Sequence, residues 1–296
     1  MIRRISAIIL LLCSVATMKV TAQQQPATYF PYPIVPDSIS TLQGRTDYLI
    51  DHFWDFCDMK KAFSHRNKMA EAFKDYLSFM PHASARQVHR SVAKLIKSLE
   101  KQPDDLLFLA QKAEEYVHSD TAEVYSDELY IPFAIGVASN KHIDKAIREA
   151  YHHQATLLTN SQVGAPAPEF EFTDRNGNRQ KFENDTAYQV TVIFFNDPDC
   201  MDCRIARSRL NANLQASKFV EAGVMRIVAI TPGDPDEQWK EMAASYPEEW
   251  TVGAAPDIDE VYEITSTPEF YVIGPDGKIA IKRLNIDGLL TLISRF

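Results

Sequence analysis

Cysteine is scarce in this 296-residue sequence: four occur, at positions 13, 57, 200 and 203. They are too few and too unevenly spread to staple a secreted fold. Only Cys200 and Cys203 are close together. There is no second pair, and His152 and His153 are neighbours that point apart on a helix, so a four-ligand zinc site is disfavoured. Basic residues are in deficit, 31 Lys and Arg against 40 Asp and Glu for a net charge of −9. That balance argues against a nucleic-acid partner, which needs a basic face. Long apolar runs are missing as well. The run in "ISAIILLLCSVA" covers about a dozen residues, against the ~20 a spanning helix requires. Flanked by "MIRR" and by "VTA" before Gln23, it reads as a signal peptide over residues 1–22. Leu12 ahead of Cys13 is bulky where lipoproteins carry a small residue, so lipid anchoring is not expected. Cleavage removes Arg3, Arg4 and Lys19 and no acid, leaving a still more acidic chain. That chain is expected in the periplasm, an oxidising compartment, without a stable membrane span.

What is present divides in two. Residues 23–40 hold four prolines and no helical period, an extended lead-in. From 41 to about 160 the apolar spacing is helical. Tyr48, Leu49, His52, Phe53 and Phe56 form one stripe, and Met69, Phe73, Tyr76, Leu77 and Met80 another. "SARQ" at 84–87 resembles a capping box, and further helices are expected over 104–118, 122–138 and 141–158. No strand signal or tight hairpin interrupts this stretch, so 23–160 is expected to be an all-α bundle of five or six helices. The stripe residues Phe53, Trp54 and Phe56 are expected in its core, and Cys57 as an idle thiol.

At "NSQVGAPAPEFEF" two prolines and a glycine mark a boundary, and residues 161–296 read as β and α in alternation. Asn176-Gly177 sits between two short alternating runs, a hairpin signal. "YQVTVIFF" and "VMRIVAIT" are continuous apolar runs, expected as central strands. "CRIARSRLNANLQASKFVEAG" is expected as one amphipathic helix with Ala206, Leu210 and Leu214 inward, and "DEQWKEMAASY" as another. "EFYVIG" and "KIAIKRL" are strands joined by "PDG", and "IDGLLTLISRF" closes as a helix. The expected class is an α/β sandwich, a mixed sheet with helices on both faces.

Cys200 and Cys203 fall where a strand ends and a helix begins. There the unpaired N–H groups and the helix dipole favour an anion. A thiolate at Cys200 is stabilised, and thiolate is the nucleophile of disulfide exchange. Cys203, one turn on, can close onto it with little backbone movement. A purely structural bridge is disfavoured because so small a loop constrains the unfolded chain little.

Strand–Cys-x-x-Cys–helix, followed by Thr267-Pro268, "EFYVI" and "PDGK", resembles the thioredoxin fold. The lead-in "VGAPAPEFEFTDRNGNRQKF" narrows the resemblance to the exported TlpA/ResA-like branch. It covers 162–296 and implies a thiol–disulfide oxidoreductase with Cys200 attacking, Cys203 resolving and Pro268 a cis proline. Thr267 then offers its backbone to an extended substrate, and Glu269 helps move protons. Protein thiol and disulfide clients and an upstream electron donor in the envelope are the implied partners, with no cofactor and no metal. Three positions depart from that pattern. Phe194 stands where many thioredoxins carry a buried Asp, leaving Glu269 either to substitute or to face solvent. Asp199 replaces the usual Trp. Asp199 and Asp202 flank the thiolate with negative charge, opposed by Arg204 and Arg207. A disfavoured thiolate points to a reductant or isomerase rather than an oxidant. The "APAPEF" opening is shared with peroxiredoxins, but Asp197 stands where their Thr belongs, making a thiol peroxidase the weaker alternative. The other alternative is a client-binding scaffold without turnover. The helical stretch resembles domains of unknown function that precede thioredoxin-like modules in envelope proteins, and it carries no catalytic motif.

Overall fold

The computed structural model describes residues 28–119 and 121–295. The expected signal peptide and Cys13 lie outside the described residues. Seven helices come first: α1 (Leu42–His52), α2 (Met59–Phe63), α3 (Arg66–Phe79), α4 (Ala85–Ser98), α5 (Pro103–Val117), α6 (Asp127–Ser139) and α7 (Lys145–Asn160). Their starts follow capping chemistry. Thr41, Asp58, Ser84, Ser126 and Asp144 each accept a backbone N–H of the following first turn, satisfying a donor that has no intrahelical partner. These late caps explain why α6 and α7 begin several residues after the expected 122 and 141. Seven helices stand where five or six were expected because α2 is a five-residue helix, too short to show a period.

The second helical stripe holds: Met69, Phe73, Tyr76, Leu77 and Met80 are all buried. The first is out of phase. Its buried residues are Thr46, Ile50 and Phe53, while Phe56 is 63% exposed. The helix stops at His52, so the turn that follows carries Phe56 outward, and a stripe extended through it fails. Phe53 and Trp54 do enter the core, packed with Phe30, Tyr32 and Tyr76. The lead-in is thus pinned to the helices by its own aromatics.

The sheet follows: β1 (Phe170–Asp174), β2 (Arg179–Phe182), β3 (Val190–Phe195), β4 (Met225–Pro232), β5 (Thr251–Ala255), β6 (Glu269–Ile273) and β7 (Ile279–Leu284). Between and after them run α8 (Met201–Asn211), α9 (Leu214–Glu221), α10 (Glu237–Ala244) and α11 (Ile286–Ile293). The strand order is β2-β1-β5-β4-β3-β6-β7, with β3, β4 and β5 parallel and the outer pairs antiparallel. This is a mixed sheet of the thioredoxin-like class. On one face α8 to α11 pack through Ala206, Leu210, Trp239, Ala243 and Leu289. The other face carries Phe170, Phe195, Tyr262 and Tyr271, with a 3₁₀ turn at Ile258–Glu260.

Two sheet-half expectations need correction. The strand β5 was not anticipated. "TVGAA" is short and ends in Gly and Ala, and it pairs with both β1 and β4; a Cβ on Gly253 would collide with the ring of Phe172 on β1. The single helix expected from Cys203 onward is two. Asn213 accepts the N–H of Ala216 and starts α9 afresh, so the inward phase ends with Ala206 and Leu210, and Leu214 is 79% exposed.

Candidate redox site

The apolar run of β3 lies at the middle of the sheet and carries the chain to the site. Beyond Phe195 the backbone is fixed by Asn196, which is fully buried. Its amide donates to the carbonyls of Phe194 at 3.2 Å and Ile230 at 3.1 Å and accepts from Thr231 Oγ1 at 3.0 Å. Asp197 then turns the loop. Its carboxylate accepts the Asp199 N–H at 2.8 Å and its carbonyl the Cys200 N–H at 3.2 Å. Gln238 of α10 donates to Asp199. The dithiol therefore stands on a loop tied to two neighbouring elements.

Cys200 is the N-cap of α8. Its Sγ accepts the backbone N–H of Cys203 at 3.0 Å, so the first turn of α8 aims a donor at the sulfur. Cys200 and Cys203 are joined as a disulfide with their Cα atoms 5.2 Å apart. The two sulfurs differ in access. Cys203 is 2% exposed, whereas Cys200 is half-buried. Met201 and Ile205, both exposed, form an apolar rim on the first turn and a half of the helix.

Opposite Cys200 runs the segment before β6. The Thr267–Pro268 bond is cis, and the Thr267 carbonyl oxygen is 3.5 Å from Cys200 Sγ. Glu269 begins β6 and is 3% exposed, so it does not face solvent. It pairs with Phe195 across β3, and directly opposed residues share a face. Its side chain therefore belongs with Tyr271, on the face away from Phe194, Phe270 and Cys203. Burial raises its pKa, against hydrogen bonds from the Thr265 N–H at 3.2 Å and Oγ1 at 3.1 Å. Its other carboxylate oxygen is buried without a hydrogen-bond partner. Phe194, in place of the buried Asp of many thioredoxins, stacks on Phe270 at 4.6 Å and makes the floor beneath the cysteines apolar. Arg207 is turned to the ring of Tyr246, 4.7 Å from its centroid, and to Ser245. Cys57, in the helical half, is half-buried, and burial together with Asp58 pushes its thiol up to about 11.

A second cluster was missed from the sequence. His118, between α5 and α6, contacts Asp127 at 3.1 Å through Nδ1 and Glu263 at 3.0 Å through Nε2. Lys282 of β7 reaches Asp127 at 2.5 Å and Glu263 at 2.6 Å. Burial alone would depress the imidazolium, but the bonds to Asp127 and Glu263 outweigh it and hold the pKa at about 9. Burial would raise both carboxyls, yet His118 and Lys282 keep them below their ordinary range. Oxygen and nitrogen atoms of His118, Asp127 and Glu263 fall within 4.8 Å of one another, a spacing a metal would accept. The Lys282 ammonium already bonds the second oxygen of each carboxylate. The one signal available in the sequence was the Lys282-Arg283 pair inside an otherwise apolar strand.

A thioredoxin-like protein from Bacteroides caccae superposes with a TM-score of 0.75 at 18% identity, over 91% of this chain and 99% of that one, so both halves of the fold are shared. Partial similarities, each over 46% of this chain, are found to the thioredoxin domain of a thiol-disulfide oxidoreductase from Bacteroides vulgatus (26% identity, 97% of that chain, TM-score 0.39) and to a thiol:disulfide interchange protein from Bacteroides sp. (26%, 91%, 0.39). No curated protein matches the chain. A family model described as a domain of unknown function, DUF5106, matches residues 13–161. That span is half of the sequence and holds every helix before the sheet; the chain belongs to the DUF5106 family, here continued by a thioredoxin-like fold.

Proposed function

We propose that this protein is an exported thiol–disulfide oxidoreductase acting on protein clients, with Cys200 as nucleophile and Cys203 as resolving thiol. The observation that carries the reading is the asymmetry of the pair: an accessible sulfur receiving a helix N-terminal N–H, and a buried partner one turn along. The reduced Cys200 thiolate attacks one sulfur of a client disulfide. A mixed disulfide forms, and the departing client thiolate takes up a proton. The Cys203 thiolate then attacks Cys200 Sγ and expels the second client thiol. The client gains two electrons, and Cys200–Cys203 becomes the disulfide. An upstream dithiol in the envelope returns it to the reduced state.

In this reading Thr267 offers its backbone to an extended client segment beside Pro268, and Met201 and Ile205 receive apolar client side chains. Glu269, buried on the opposite face of the sheet, holds Thr265 and with it the loop that carries Thr267. Asp199 and Asp202 flank Cys200 in the chain, and of the two opposing arginines Arg207 is turned to Tyr246, leaving Arg204; the balance favours a reductant or isomerase over an oxidant.

Insulin reduction with dithiothreitol tests the activity. The wild type accelerates precipitation, Cys200→Ala does not, and Cys203→Ala accumulates mixed disulfides. A wild type no faster than dithiothreitol alone ends the proposal and leaves a client-binding scaffold. A reduction potential near about −120 mV, the strongly oxidising end of the range, overturns the reductant assignment alone.

A further inference from the structure

The segment that brings Thr267 to Cys200 has no regular secondary structure between Glu263 and Pro268. Among the described residues, no backbone-to-backbone bond outside the strands involves 264–268. Side chains hold its two ends. At the far end Glu269 ties down Thr265. At the near end is Glu263, whose carbonyl accepts the Tyr271 hydroxyl at 2.7 Å. Its carboxylate is gripped from the helical half by His118 Nε2 at 3.0 Å and by the Tyr125 hydroxyl, 3.2 Å from each oxygen. His118 is fixed in turn by Asp127 and by stacking on Tyr130, with centroids 4.7 Å apart.

An exposed ion pair would position little. Here every member is buried, the side chains of His118, Asp127, Glu263 and Lys282 being 5–9% exposed. Charge-assisted bonds in such surroundings are directional and resist rearrangement.

We propose that the DUF5106 half positions the redox loop: His118, acting through Glu263, sets where the Thr267 carbonyl stands against Cys200. This rests on the oxidoreductase reading and deepens it. His118 is a positioning residue, far along the chain from the sulfurs and acting only through the loop. The consequence is chemical. In the reduced protein the Cys200 thiol donates to the Thr267 carbonyl, whereas in the disulfide that sulfur has no hydrogen to donate. A well-placed carbonyl therefore favours dithiol over disulfide, and a loosened loop shifts the balance toward disulfide.

The test is the equilibrium of the full chain with a glutathione redox buffer. His118→Leu is expected to move it toward disulfide by at least threefold, about 14 mV for a two-electron couple. His118→Gln, which keeps a donor for Glu263, lies between it and the wild type. Tyr125→Phe shifts the same way by about twofold and serves as the readout should His118→Leu fail to fold. Leu95→Ala opens a cavity in the helical core on α4 and lowers stability without moving the equilibrium. Unchanged equilibria in every folded variant at 118 and 125 overturn the inference, as does an equal shift in Leu95→Ala. A wild type that does not exchange with glutathione at all instead sinks the oxidoreductase reading beneath it.

Discussion

The dithiol and the His118 cluster are two polar sites built in opposite ways. Cys200 and Cys203 are three residues apart, and one turn of helix supplies their geometry. The cluster draws His118, Asp127, Glu263 and Lys282 from four separate places in the chain and exists only once the two halves are packed. The first leaves one sulfur half-exposed; the second buries the side chains of all four charged members. Local construction with access suits chemistry, and remote construction without access suits clamping. Each of these assignments can be broken separately.

The largest expected effect is at the dithiol. Cys200→Ala abolishes insulin reduction, while loss of its cap to the Cys203 N–H costs the reduced protein only about 1 kcal/mol. Breaking the clamp does the reverse. Lys282→Met removes the cation that bonds both Asp127 and Glu263 in a buried site. Removing one partner from a buried ion network costs about 3–5 kcal/mol, read by chemical denaturation.

Acidity sharpens the same contrast. The pKa of His118 is raised from 6.5 to about 9, so its contribution is complete below pH 6.5 and is lost as pH rises through 9, an effect of up to about 3 kcal/mol. Asp127 and Glu263 are lowered, so theirs is present above the ordinary carboxylate range and lost on acidification. Stability should therefore peak between about pH 5 and 7, and His118→Gln should flatten the alkaline limb in pH-dependent denaturation. Glu269 is raised instead. Its ionisation opposes folding as pH rises, so Glu269→Gln should gain on the wild type with increasing pH in the same measurement. The smallest effect separates the two faces of the broken helix: Leu210→Ala should cost about 2–5 kcal/mol, and Leu214→Ala less than about 0.5 kcal/mol.

The same contrast explains what was legible in the sequence. The hairpin at Asn176-Gly177, the buried runs of β3 and β4 and the Cys-x-x-Cys junction are short-range patterns, and each is present where its residues predicted it. Features that depend on distant partners were not legible. Strand β5 needs β1 and β4 beside it, and the cluster needs α5, α6 and β7 together. The misplaced stripe of α1 and the extra helical start at Asn213 are local errors. In both, periodicity was carried across a point where a helix end or a cap resets the phase.

Cys57 gives the molecule a practical property. With its thiol near 11, only about one part in a thousand is ionised at pH 8. With Cys200 as the proposed nucleophile, a thiolate-selective reagent applied to the fully reduced protein is expected to mark position 200 before position 57. Labelling of the native sequence then needs no prior removal of the odd cysteine.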